Sequence, residues 1–204
     1  ARFNRWSLRA SVPGLQGSRI YGKGIFSENQ LWEPNTTSDI TKLGLNSEGY
    51  SINKSLYLRD VIDRTNIVFG GSSDIEIYKG LIKSLNGLNS NYSIEDWQTA
   101  VYDWRMSPNT IVMEGSRHSS PTGQYKKMED QVTSMALISK TKKVTLLAHS
   151  YGGLVIKRFL TYMLQKGKIN LIDKVVFVGV PESGSPSSLF ALLHGDNQDI
   201  GNGY

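Results

Sequence analysis

The sequence has no cysteine among its 204 residues, which excludes disulfides, thiolate zinc sites and a cysteine nucleophile. It says nothing about compartment. No apolar run approaches the roughly 18 residues that a membrane-spanning helix needs. No charged-then-apolar signal segment follows Ala1, where the chain opens without a methionine. Low-complexity tracts and internal repeats are also missing. So is any basic stripe interleaved with aromatics, and no nucleic-acid interface is expected. The net charge of +5 comes from scattered lysines and arginines. The densest group, Lys140, Lys142 and Lys143, is split by Thr141 and reads as a solvated helix end. Such a mildly basic surface favours anionic interfaces.

What is present is ordinary globular composition, 39% hydrophobic and 20% charged, and enough chain for one domain with a buried core. "RWSLRASVPGLQGSRI" reads as a short strand entering a Pro-Gly turn. The alternation in "WSLRASV" suggests that this strand is edge-like or half exposed. Residues 21–60 read as long loops with short elements. "NIVFGG" reads as a strand. Ser73 and Asp74 look like caps of a helix carrying Ile77, Leu81 and Leu85 on one face. "WQTAVYDW" reads as a strand with a charged end.

The second half is more regular. Tyr125, Met128, Val132 and Met135 share one helical face. "KKVTLLAHS" is a nearly continuous apolar run, as in a strand covered on both faces. "GGLVIKRFLTYMLQKG" is helical, with Val155, Phe159, Tyr162 and Met163 aligned and Gly167 as a stop. Lys166 and Lys168 suit its negative end. "IDKVVFVGVP" reads as another buried strand. Strands alternating with helices imply an α/β fold with a mostly parallel sheet.

The informative stretch is "LLAHSYGG", residues 146–153. A serine between a strand and a helix can simply cap the helix. Two adjacent glycines, one residue beyond it, point elsewhere. A nucleophilic serine sits on a sharp strand-to-helix turn in strained geometry, and the following helix passes close to the sheet. Both demands favour residues without a Cβ. Gly152 stands where the nucleophile-elbow pattern has its last glycine, and Ala148 replaces the first. The helix N-terminus would then set backbone N–H groups beside a developing oxyanion.

The ordered set VPG-x-x-GS (12–18), YDWR-x-SP (102–108), V-x-LLAHS-x-GG (144–153) and GVP-x-x-GSP (179–186) resembles the lecithin:cholesterol acyltransferase family. These are α/β-hydrolases acting on phospholipid and related esters at lipid interfaces. The resemblance covers about residues 10–195. It implies one α/β-hydrolase domain over 1–204, with a mostly parallel sheet flanked by helices. It also implies Ser150 as the acyl-accepting nucleophile and an oxyanion hole made by the backbone N–H groups of Leu15 and Tyr151. Neither metal nor cofactor is called for. The expected partners are a lipid or ester substrate and a lipid interface. Secretion or association with such an interface is the matching expectation for location.

Other residues receive plainer readings. Strand alternation turns His149 away from Ser150, leaving it a packing and hydrogen-bonding role. Asp103 and Arg105 read as a structural ion pair. Trp6 and Trp32 read as ordinary packing, and His118 as a loop surface residue. A serine hydrolase also needs a base and an acid to orient it, both following the serine in this fold. Only 54 residues follow Ser150, with Asp173, Asp196, Asp199 and His194 among them. Asp173 opens a strand, at the end away from the site. His194 sits where the family leads into a lid. The expectation is therefore a nucleophile-bearing part whose acid and base strands lie elsewhere, through truncation or in a second chain. The competing reading is a lipid-binding or interaction module that keeps the scaffold without catalysis.

Overall fold

The computed structural model describes residues 8–23, 28–34, 36–68, 72–118, 120 and 122–194. Its elements run β1 (Leu8–Val12), β2 (Ser18–Lys23), β3 (Glu28–Trp32), α1 (Thr37–Thr41), β4 (Tyr57–Val61), β5 (Arg64–Val68), β6 (Ser72–Glu76), α2 (Lys79–Ser90) and β7 (Trp97–Thr99). Then follow α3 (Pro108–Glu114), β8 (Ser116–Arg117), β9 (Tyr125–Lys126), α4 (Met128–Ile138), β10 (Val144–His149), α5 (Tyr151–Gln165), β11 (Ile172–Val178) and α6 (Pro186–His194).

Four strands form a parallel sheet in the order β11-β10-β1-β7. Flanking helices complete the α/β arrangement that the strand–helix alternation implies. Period-two alternation sends Ala10, Val12, Val144, Leu146 and Ala148 to one face. There they pack with Val132, Met135 and Ala136 of α4 and with Val155, Ile156, Phe159 and Met163 of α5. On the opposite face, Ser11 and Thr99 share a small cavity with Leu81, Ile82 and Leu85 of α2. A second, antiparallel sheet in the order β3-β2-β4 builds its own core from Ile20, Leu31, Leu58 and Val61.

Several expectations need correction. The first strand lies inside the sheet, and Ala10, Ser11 and Val12 are all buried. Its polar Ser11 is accommodated beside α2, so alternation there does not signal an edge. The reading of residues 21–60 as long loops with short elements holds: β3 and α1 are short, and the long stretch from α1 to β4 is irregular. Ser72–Glu76 pairs with β5 as a hairpin, and the helix starts only at Lys79. Tyr125 is an exposed residue of β9, outside the α4 face on which Met128, Val132 and Met135 are buried. The strand read across 97–104 is regular only over Trp97–Thr99.

β11 occupies an edge of the sheet, with Val176, Phe177 and Val178 exposed, so its apolar run does not report burial among the described residues. His118 is half buried and bridges to Leu58. Burial, aided by the Lys126 charge, pushes its imidazole down to about 4. Trp6, Asp196 and Asp199 lie outside the described residues.

Candidate functional site

Ser150 stands between β10 and α5 with φ 51° and ψ −127°. A non-glycine residue in that region stores on the order of 1–3 kcal/mol and persists only where its surroundings impose it. Here they do. The Ser150 N–H donates to Val178 O at 2.9 Å, and the Gly153 N–H donates to Ser150 O at 2.9 Å. The paired glycines answer to two separate close approaches. A Cβ on Gly152 would run into the carbonyl oxygens of Pro13 and Val12, the latter at 2.8 Å. A Cβ on Gly153 would meet the Val180 side chain instead, with Cγ1 at 2.6 Å. Gly152 therefore lets the loop after β1 ride over the first turn of α5.

That loop is gripped along its length. The Tyr102 hydroxyl donates to Pro13 O at 2.6 Å, and the Gly14 N–H donates to the Tyr78 hydroxyl at 2.7 Å. The Gly17 N–H closes a turn on Gly14 O at 3.1 Å, with Gln16 at φ 60°. The Trp32 indole N–H donates to Gln16 O at 2.9 Å. In a trans peptide the C=O and the following N–H point in opposite directions. Gly14 O faces Gly17, so the Leu15 N–H points the other way. Among the described residues no acceptor meets the Leu15 N–H, the Tyr151 N–H or the Ser150 hydroxyl. A Cβ on Gly14 would stand 3.0 Å from the Ser150 Cβ, which measures how closely the loop approaches the serine.

Leu15, Ser150 and Tyr151 line one cavity of about 930 Å³. Its wall includes Trp104, Arg105 and Leu154, with Glu48 and Gly49 from the segment before β4 and Ser185 and Ser188 from the start of α6. Arg105 is bidentate to Asp103, Nε to Oδ1 at 2.9 Å and Nη2 to Oδ2 at 2.5 Å. Its Nη1 donates to Leu43 O at 2.7 Å, which ties the segment carrying Glu48 to the cavity wall. Trp32 packs edge-on against Trp104, with ring centroids 5.0 Å apart.

His149 follows its strand alternation to the α2 face and away from Ser150. Its Nδ1 lies 2.8 Å from the Tyr78 hydroxyl. The ring, though exposed, also packs edge-on against Tyr78 with centroids 5.6 Å apart, so both parts of its expected role are seen. Burial raises the Tyr78, Tyr102 and Tyr151 hydroxyls above the ordinary phenol range, and all three stay protonated at neutral pH. Asp173 lies at the N-terminal end of β11, away from the Ser150 edge. His194 is the last residue of α6. Among the described residues no cluster of histidine and carboxylate side chains is arranged to hold a metal. Sequence reasoning passed over Tyr78 and Tyr102. Tyr102 had a signal in its place beside Asp103, whereas nothing in the helical pattern around Tyr78 distinguished it.

Fold and site together define an α/β protein with a strained serine at the strand-to-helix turn of a parallel sheet, facing a cavity at the strands' C-terminal edge. The chain belongs to the lecithin:cholesterol acyltransferase family, whose model matches residues 42–202. Phosphatidylcholine-sterol acyltransferase from Mus musculus is 32% identical over 116 residues, covering 56% of this chain and 24% of that protein. The Homo sapiens and Rattus norvegicus proteins of the same name are 32% and 31% identical over the same length. The matched stretch thus spans 24% of the length of these relatives.

Proposed function

We propose that this chain is the nucleophile-bearing part of a serine acyl hydrolase or acyltransferase of α/β-hydrolase fold, a single domain over 1–204 acting on lipid esters. The observation that carries the reading is Ser150 at φ 51° on the β10–α5 turn, opening into the same cavity as Leu15 and Tyr151. Ser150 Oγ attacks the ester carbonyl carbon and gives up its proton to a base. The Leu15 and Tyr151 N–H groups receive the oxyanion, and the alcohol leaves with a proton from the base. The acyl-Ser150 ester is then cleaved by water or by a lipid alcohol. The relatives' printed name, phosphatidylcholine-sterol acyltransferase, favours a lipid substrate and contact with a lipid interface.

His149 is not positioned as the base, since its Nδ1 is engaged with Tyr78. The base and its acid belong to a further part of the protein or to a second chain. The test is turnover of a p-nitrophenyl ester and labelling by a fluorophosphonate. In the full-length protein Ser150→Ala removes both. Loss of a triad histidine costs on the order of a millionfold in turnover, so residues 1–204 alone should turn over almost nothing and label slowly. Brisk hydrolysis by 1–204, lost in His194→Ala and Ser150→Ala alike, would make His194 the base. Full-length activity that survives Ser150→Ala would overturn the nucleophile assignment and leave the non-catalytic lipid-binding module as the better reading.

A further inference from the structure

We propose that Tyr78 is a positioning residue for the oxyanion donor, held in register by His149, the residue next to the nucleophile. The proposal rests on the reading of the Leu15 N–H as that donor. A phenol hydroxyl has one proton to give and lone pairs to accept with. In Tyr78 one lone pair takes the Gly14 N–H at 2.7 Å, and the acceptor within reach of its own proton among the described residues is His149 Nδ1 at 2.8 Å, so the proton is assigned there. That assignment leaves the imidazole proton on Nε2 and makes Nδ1 an acceptor.

The result is a continuous chain from the residue before Ser150, through one hydroxyl, to the peptide before Leu15. With Tyr102 holding Pro13 O, two phenols fix both ends of the Pro13–Gly14 peptide. Tyr78 is itself rigid. Its N–H donates to Ile62 O and Asp63 O, each at 3.2 Å, and its residue is buried. The Ile62 N–H in turn donates to Gly17 O at 3.0 Å, so one turn after β4 grips both the tyrosine and the far end of the loop. Arg19 stiffens that turn through Asp63 Oδ1 at 3.1 Å and Val61 O at 3.3 Å.

The chemical consequence is specific to the transition state. A substrate carbonyl makes little demand on where the Leu15 N–H points, whereas a developing oxyanion does. Loss of the clamp therefore shows in kcat rather than in KM.

The experiment uses the full-length protein, a p-nitrophenyl ester, and amide exchange at Gly14. Tyr78→Phe keeps the ring and removes the hydroxyl. It should lower kcat by about 10- to 100-fold, less than the 10²–10³ for deleting an oxyanion donor outright. KM should stay within about twofold, and Gly14 exchange should quicken. His149→Ala should lower kcat by roughly 3- to 10-fold, and His149→Asn, whose Oδ1 falls near the Nδ1 position, should recover most of it. Ser150→Ala is the control. If it abolishes turnover while Tyr78→Phe keeps wild-type kcat, the clamp is overturned and the nucleophile stands. If Ser150→Ala retains turnover, the underlying reading fails instead. Should Tyr78→Phe not fold, the His149 pair decides, and wild-type kcat in His149→Ala overturns the proposal.

Discussion

Replacing Gly152 by alanine adds one methyl where two backbone carbonyls already lie. The new Cβ would stand 2.8 Å from Val12 O and nearer still to Pro13 O, whereas ordinary contact begins near 3.4 Å. The loop must retreat by at least about 0.6 Å, because a close-packed interior has no slack to absorb the difference. Overpacking of this kind costs about 1–3 kcal/mol. Alanine recovers up to ~1 kcal/mol of helix propensity over glycine. The net loss is about 1–2 kcal/mol, or a fall in Tm of roughly 2–8 °C for a chain of this size.

Activity should fall further than stability, by about 10- to 100-fold in kcat, since the loop that retreats carries Leu15. Thermal unfolding by circular dichroism and ester turnover measure the two effects. Gly153→Ala is the comparator, because its methyl meets the Val180 side chain rather than backbone. Adding Val180→Ala removes both obstructing methyls and should restore Gly153→Ala toward the stability of the single Val180→Ala variant. No side-chain deletion can do the same for Gly152. A Gly152→Ala protein as stable and as active as the wild type would refute the reasoning.

Arg105→Met strands the Asp103 carboxylate and releases Leu43 O, and with side chains only 5% and 17% exposed this should cost about 3 kcal/mol. Activity should fall in step with Tm; a hundredfold loss of kcat at unchanged Tm would instead give Arg105 a direct part in the chemistry. His118 is held down to about 4 from an ordinary 6.5, so between those values the unfolded chain binds a proton that the folded one refuses. Stability therefore falls as pH drops through that window and gains nothing from this group above it. His118→Gln should flatten that part of a urea-denaturation profile against pH, and an unchanged slope would count against a buried, neutral imidazole.

The parallel sheet was legible because β10 and α5 carry strong patterns: a nearly continuous apolar run, then Val155, Phe159, Tyr162 and Met163 at helical spacing. Ser150 was legible for a different reason. Two adjacent glycines at a helix start make no sense as helix formers, and the close approaches at Gly152 and Gly153 supply the cause. The misreadings share one origin. Ile75 and Ile77 fit both a strand and a helix, and only the pairing of β6 with β5, a tertiary fact, decides between them. β11 is apolar from Val175 to Val178 yet lies at an edge among the described residues, so its composition reports a different environment from the one they provide. Tyr78 was invisible because its value lies in which peptide it touches, 64 residues earlier in the chain.

The place of β1 inside the sheet has a consequence for the order in which the protein is made. Leu8 pairs with Val144, so the strand that leads into the Pro13–Gly14 loop emerges from the ribosome long before its neighbour β10 exists. At the usual 5–20 residues per second the interval is on the order of 10 s. Through that interval β7 is the earlier of its two sheet partners to become available, and the antiparallel sheet and α2 can gather around it first. The serine and the loop that faces it thus meet at a late step, when β10 pairs with β1.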